Sequence, residues 1–120
     1  MRIAVAVLML AHAVGHLPGF LVSCRLATLA ELPYKTTLLA GRLPVGDRGM
    51  QIAGVVWLAL ALGFAASGIG ALARLPWWTV VAGVATTVSL ALGVLAWPDT
   101  RFGVVVNVAL GTWLLWGTLR

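Results

Sequence analysis

The segment "IAVAVLMLAHAVGHLPGFLVSC", residues 3–24, decides the fold class, because it is long enough and apolar enough to cross a bilayer. A spanning helix needs about 20 apolar residues, since each residue of a helix rises only about 1.5 Å. The polar side chains in this segment are His12, His16 and Ser23. The segment therefore predicts a transmembrane helix that carries two titratable rings within its apolar length.

The composition of the whole chain also points to the bilayer as its solvent. Hydrophobic residues make up 62% of the 120 positions and charged residues only 9%, whereas soluble domains contain about 45–50% apolar and about 25% charged residues. The net charge of +5 comes from cations at the ends of apolar segments, where they anchor helices and set topology. The expected partner is therefore the lipid bilayer and not a nucleic acid. The single cysteine, Cys24, excludes an internal disulfide.

Four apolar segments predict an all-α membrane protein, a four-helix transmembrane bundle that forms a single domain over residues 1–120. The last three helices should be antiparallel neighbours, because the links between them are short. A signal peptide is the alternative for the first segment, but the apolar run continues past its small-residue site at Ala13. The predicted spans are residues 3–24, 50–72, 77–97 and 101–119.

The long link at residues 25–49 is predicted to be an interfacial loop, partly helical or re-entrant. Its first part, "LATLAEL" at residues 26–32, favours a short amphipathic helix on the membrane surface. The following "LPYKTTLLAGRLPVG", residues 32–46, favours an irregular segment that dips back over the bundle. Irregular backbone is tolerated at membrane depth only against protein or a wet cavity.

The basic residues indicate an orientation. An even number of spans puts both termini on one side, and five of the eight cations then lie on the side of the long loop. The positive-inside rule favours a cytoplasmic loop, and the cell membrane is the expected location. Trp57 and Trp97 would mark the interface on the loop side, and glycines within the spans permit close helix packing and a homodimer. The cations on the other side are Arg2, Arg74 and Arg120.

Polar residues concentrate on the loop side, and this predicts a one-sided polar pocket. Asp47 and Asp99 precede the second and fourth spans, where a carboxylate suits a helix N-cap; Glu31 is the remaining acid. The candidate catalytic residues are His16, His12, Asp99 and Asp47. The candidate substrate-binding residues are Arg25, Glu31, Tyr34, Lys35, Gln51, Trp57, Arg101 and Asn107.

Three interpretations of the histidine pair remain open. Both rings lie on one face of the first helix, so they could bond to Asn107, a threonine or a water within the bundle. They could share a metal ion, but the glutamate of the HExxH motif is absent and we expect no metal or cofactor. They could also move protons, because histidine titrates near neutrality and ionisable groups inside a span are functional candidates. Pro18 should kink or end the helix around His16 and so admit water.

Two classes of function follow, besides that of a structural membrane protein without chemistry. The first is a small acid/base enzyme, of isomerase, cyclase or hydrolase type, that acts on a lipophilic small molecule. The second is a proton-coupled transporter or binding bundle. In size and four-span layout the chain is similar to small multidrug-resistance transporters, which carry a membrane-embedded glutamate in their first helix, and to DoxX-like four-span proteins. His12 or His16 would have to replace that glutamate.

Overall fold

The chain folds into four helices and one short hairpin. The computed structural model describes residues 1–119; Arg120, one of the cations assigned to the terminal side, lies outside the described residues. The first three helices are long and apolar enough to cross a membrane, and the fourth is apolar over Arg101–Gly117. The elements are α1 (Arg2–Ser23), β1 (Thr37–Leu38), β2 (Leu43–Pro44), α2 (Gly46–Leu72), α3 (Trp78–Leu95) and α4 (Arg101–Leu119).

The helices lie at the predicted segments to within a few residues, and the largest difference is at the start of α2. α2 begins at Gly46 and not at Met50, and α1 continues through Pro18 to Ser23. Of the two effects expected of Pro18, a kink or an end of the helix near His16, the end does not occur. Proline removes only one backbone donor, and the rest of the turn is retained because α1 packs along α2 over most of its length.

Arginines in a left-handed conformation terminate both α1 and α2. Arg25 and Arg74 have φ angles of 58° and 60°. In each case the following amide bonds to the carbonyl five residues earlier, from Leu26 to Leu21 at 2.7 Å and from Leu75 to Gly70 at 2.9 Å. This is the Schellman arrangement, in which glycine is usual. A cation at this position also suits the negative end of the helix dipole.

The loop between α1 and α2 contains a β-hairpin, and the interfacial helix predicted at residues 26–32 does not form. Residues 26–32 form turns and an isolated bridge between Leu29 and Leu32. So short a segment, followed by Pro33, cannot offset the cost of nucleating a helix. β1 and β2 then pair antiparallel, and the amide of Leu39 in their turn donates to the Leu95 carbonyl at 2.7 Å. That bond ties the hairpin to the end of α3.

Packing follows the chain order, and it leaves α1 and α4 apart. α1 packs most extensively on α2, α2 on α3, and α3 on α4, whereas α1 and α4 touch sparsely. Glycine permits the closest approach: a Cβ added at Gly68 would lie 2.9 Å from the Leu10 side chain and 3.1 Å from the Ala6 carbonyl oxygen. The fully buried Phe64 fills the centre of the core. The structure therefore has a gap between its first and last helices.

Three residues have surroundings that the sequence did not predict. Val45 is the N-cap of α2, with no side-chain capping bond, and Asp47 lies in the first turn; its carboxylate accepts the hydroxyl of Tyr34. The Asp99 carboxylate accepts the Lys35 ammonium at 2.7 Å. For both acids, tertiary contacts replace the expected capping bonds. Trp57 is buried in the core and does not mark an interface, because its indole packs against α1.

Candidate functional site

The two histidines lie on the inward face of α1, against aromatic side chains of α2. His16 is 3% exposed and its ring meets that of His12 edge-on, with 4.5 Å between centroids. Phe64 contacts both rings, at 4.7 and 5.1 Å, and Trp57 lies 5.4 Å from His16. Because α2 supplies only apolar rings here, the ring nitrogens find their polar partners on α3 and α4.

A closed circuit of hydrogen bonds joins α1, α3 and α4. Nε2 of His16 lies 2.7 Å from Oγ of Ser89, and Nδ2 of Asn107 donates to the same Oγ at 2.8 Å. Oδ1 of Asn107 lies 3.0 Å from Nε2 of His12. The circuit closes on α1, where Nδ1 of His16 lies 2.7 Å from the His12 carbonyl oxygen.

The chemistry of the partners fixes the direction of every bond in this circuit when both rings are neutral. A carbonyl only accepts, so Nδ1 of His16 carries the proton and its Nε2 is an acceptor. Ser89 therefore donates its hydroxyl to His16, and its oxygen accepts from the amide of Asn107. Nε2 of His12 then donates to Oδ1 of Asn107. The arrangement pairs a serine hydroxyl with the unprotonated nitrogen of a histidine.

A cavity of about 560 Å³ reaches this circuit. All four side chains of the circuit line it, together with apolar residues of all four helices. The hairpin loop, by which we mean the whole segment between α1 and α2, covers the end of the cavity on the loop side with residues 31–35 and 37–41. The polar side chains of the circuit form the floor of the cavity. Ser89 and Asn107 are 1% and 2% exposed, so this polar floor is shielded from solvent. A buried polar floor under an apolar wall is typical of a small-molecule site.

The loop that covers the cavity is tied at two points to the end of α3 and the residues that follow it. Lys35 and Asp99 form an ion pair at 2.7 Å, with side chains 44% and 27% exposed. Pairs this exposed contribute about 0.2–1 kcal/mol. The second point is the backbone bond from Leu39 to Leu95. Together these two contacts hold the loop against the end of α3.

A separate, polar depression lies outside the cavity, at the ends of α1 and α2. It is lined by Arg25, Asp47 and Gln51, together with Ser23, Cys24 and Arg48. Arg25 and Asp47 are 4.0 Å apart and highly exposed. The hydrogen bond to Asp47 raises the pKa of the Tyr34 phenol, since ionisation would place two negative charges side by side. This depression contributes nothing to the buried floor.

The structure brings together eight of the predicted site residues and separates four. Asp47, Arg25 and Gln51 line the outer depression. Arg101 lines neither region, and its guanidinium lies 5.2 Å from the centre of the Phe102 ring. The residues that line the cavity are His12, His16, Glu31, Tyr34, Lys35, Trp57, Asp99 and Asn107.

Ser89 is the site residue that sequence reasoning missed. A serine in a helix often bonds to its own backbone, as Ser67 does with the Gly63 carbonyl at 2.8 Å, so a serine on α3 had little meaning by itself. The signal available in the sequence was the depth of each polar residue within its helix. Ser89 lies six residues before Leu95, the end of α3, and Asn107 lies six residues after Arg101, the start of α4. Two polar residues at equal depth on adjacent antiparallel helices indicate a contact.

Within residues 1–119, no group of three or more His, Cys, Asp and Glu side chains is placed to hold a metal ion. No family model, curated protein or solved structure matches this chain. The arrangement of its own residues is therefore the basis for assigning a function.

Proposed function

We propose that the chain is a four-span protein of the cell membrane, with both termini on one side and the long loop in the cytoplasm. Its outward helix faces support insertion, because large apolar side chains are exposed on every helix, such as Ile3 at 70%, Leu62 at 65%, Val84 at 61% and Val105 at 66%. In water such faces would drive aggregation, whereas in lipid they are solvated. The excess of cations on the loop side supports the orientation.

Within this bundle, the function that the geometry supports best is acid/base catalysis on a lipophilic small molecule. One observation carries the proposal: the Ser89 hydroxyl lies 2.7 Å from Nε2 of His16 at the floor of the cavity. A base in hydrogen-bond reach of a hydroxyl, itself oriented by a third group, is the general arrangement of proton-transfer sites. Here the orienting group is the His12 carbonyl, which holds the Nδ1 proton of His16.

The proposed step is a proton transfer relayed by Ser89. A proton leaves a carbon or hydroxyl of the substrate for Oγ of Ser89 while the hydroxyl proton moves to Nε2 of His16. The His12 carbonyl stabilises the imidazolium that forms, because it already accepts the Nδ1 proton. Returning the proton at a neighbouring position of the substrate regenerates both residues, and the net reaction is an isomerisation or cyclisation without a cofactor.

Proton-coupled transport, the alternative considered from sequence, is less well supported. It would need a polar path from the cavity to the opposite face. Towards that face the core around α1 consists of Met9, Ala6 and Val5, all buried and apolar, and Phe64 packs against His12. Along α1 the circuit therefore meets apolar side chains on this side, which supports an enzyme pocket over a transport path.

Deuterium incorporation tests the proposal. The purified protein in nanodiscs would be incubated in heavy water with an extract of its host membrane, and the lipids would be analysed by mass spectrometry. Wild type should introduce deuterium into one class of molecule, whereas Ser89→Ala and His16→Gln should not. Thr87→Ala is the matched control, because Thr87 is exposed on α3 and bonds only to the Gly83 carbonyl. Equal incorporation by all variants, or by none, contradicts the proposal.

A further inference from the structure

The gap between α1 and α4 opens the cavity sideways. α1 and α4 make few contacts, although His12 and Asn107 bridge them deep in the structure. The cavity is bounded on the α1 side by Leu8, Ala11 and Gly15, all of them exposed. On the α4 side it is bounded by Phe102, which is 75% exposed, and by the half-buried Gly103. A cavity with exposed residues on two neighbouring helices is open between them.

Glycine keeps this gap open on both sides. A Cβ added at Gly15 or at Gly103 would meet no atom within 4 Å. The glycines that pack helices together behave differently, since a Cβ at Gly68 or Gly54 would lie under 3.0 Å from a neighbouring side chain. Gly15 and Gly103 therefore border open space and do not serve helix packing.

The gap between α1 and α4 is a route by which a molecule could reach the polar floor without any movement of the hairpin loop. The hairpin loop covers the loop-side end of the cavity, and the Lys35–Asp99 pair and the Leu39–Leu95 bond hold it there. In a four-span arrangement, α1 and α4 both face lipid at the gap. A molecule dissolved in the bilayer could reach the circuit by lateral diffusion, without crossing water.

The floor selects the kind of molecule that fits. Its polar groups are two imidazoles, a hydroxyl and an amide, with no permanently charged side chain among them. The charged side chains that line the cavity, Glu31, Lys35 and Asp99, belong to its loop end, where Lys35 and Asp99 neutralise each other. A charged head group would lose its hydration at this floor without gaining a counter-ion, which is costly. A hydroxyl or carbonyl needs only hydrogen bonds, and in the neutral circuit Nδ1 of His12 is an acceptor without a proton.

We infer that the gap between α1 and α4 is a lateral portal for a long-chain molecule whose end is an uncharged hydroxyl or carbonyl group. The head reaches the circuit, and the chain passes between Gly15 and Gly103 into the bilayer. The apolar chain gains little by leaving lipid for an apolar wall, so the hydrogen bonds of the head determine selectivity. The inference names the substrate class of the proposed acid/base site and depends on that proposal for its chemistry.

Photo-crosslinking in phosphatidylcholine nanodiscs tests the portal. The probe is hexadecanol with a diazirine in its chain, and the comparison probe is hexadecanoate with the same diazirine. We expect hexadecanol to label Phe102 and Ala11 in preference to Val84, which is exposed but does not line the cavity. Labelling by hexadecanoate should be about tenfold weaker, which corresponds to about 1.4 kcal/mol.

Two variants narrow the portal, and a third serves as their control. Gly15→Leu and Gly103→Leu should each reduce hexadecanol labelling by about tenfold, because the new side chains fill the gap. Gly83→Leu should leave labelling unchanged, since a Cβ at Gly83 also meets no atom within 4 Å but Gly83 does not line the cavity. Equal labelling in all three variants, labelling of Val84 as strong as that of Phe102, or equal labelling by both probes overturns the inference.

The same variants separate a failure of the portal from a failure of the proposed chemistry. If Gly15→Leu and Gly103→Leu keep the deuterium incorporation of wild type, the enzyme is active but the portal is wrong. If labelling depends on Gly15 and Gly103 as expected while wild type incorporates no deuterium, the portal is supported and the acid/base function is wrong.

Discussion

Replacing Ser89 by alanine is the most direct test of the hydrogen-bond circuit. The substitution removes the donor to Nε2 of His16 at 2.7 Å and the acceptor of Nδ2 of Asn107 at 2.8 Å. Side-chain hydrogen bonds in a membrane protein contribute about 0.6 kcal/mol on average and up to about 1.7 kcal/mol. Two lost bonds, with two buried partners left unsatisfied, should lower the free energy of unfolding by about 1–3 kcal/mol.

Ser67→Ala is the matched control for that measurement. Ser67 is as buried as Ser89, but its hydroxyl bonds only to the Gly63 carbonyl of its own helix. Both substitutions gain the same helix propensity, so the difference between them isolates the tertiary bonds. Unfolding would be followed by circular dichroism in mixed micelles with increasing dodecyl sulfate. If the two variants unfold at the same detergent fraction, Ser89 does not join the helices and the circuit is refuted.

Two further predictions concern packing and the loop. Gly19→Ala should destabilise the protein by about 1–3 kcal/mol, because its Cβ would lie 2.8 Å from the buried indole of Trp57. Gly15→Ala is the control and should not destabilise the protein, because a Cβ at Gly15 meets open space. Equal unfolding curves for the two variants would disprove the close contact. Asp47→Asn should shift the titration of Tyr34 to lower pH, because the bond to Asp47 raises its pKa. Because the pKa of Tyr34 is higher in the folded state than in the unfolded state, the bond stabilises the fold below the unfolded-state pKa, and this contribution is lost as the pH rises through the folded-state pKa. An unchanged midpoint of phenolate absorbance in Asp47→Asn would exclude the bond.

The sequence alone determined the helical architecture and which helices are apolar enough to cross a membrane. Hydropathy depends on each segment by itself, so four apolar stretches suffice to locate four helices. The spacing of His12 and His16 placed both rings on one face, because a helix repeats every 3.6 residues. Asn107, an amide within an apolar helix, was expected to bond to another helix, and it bonds to both α1 and α3. These features are local, and local patterns predict them.

Only the tertiary structure decided which polar groups meet. Asp47 and Asp99 had local capping positions, but Tyr34 and Lys35 are nearer partners once the loop folds over the bundle. Ser89 looked like any helical serine until α1 and α3 brought its hydroxyl to His16, 73 positions away in sequence. The physical reason is that a hydrogen bond depends on the position of two atoms to within a few tenths of an ångström. Helix packing sets that position, and the periodicity of a single segment contains no information about it.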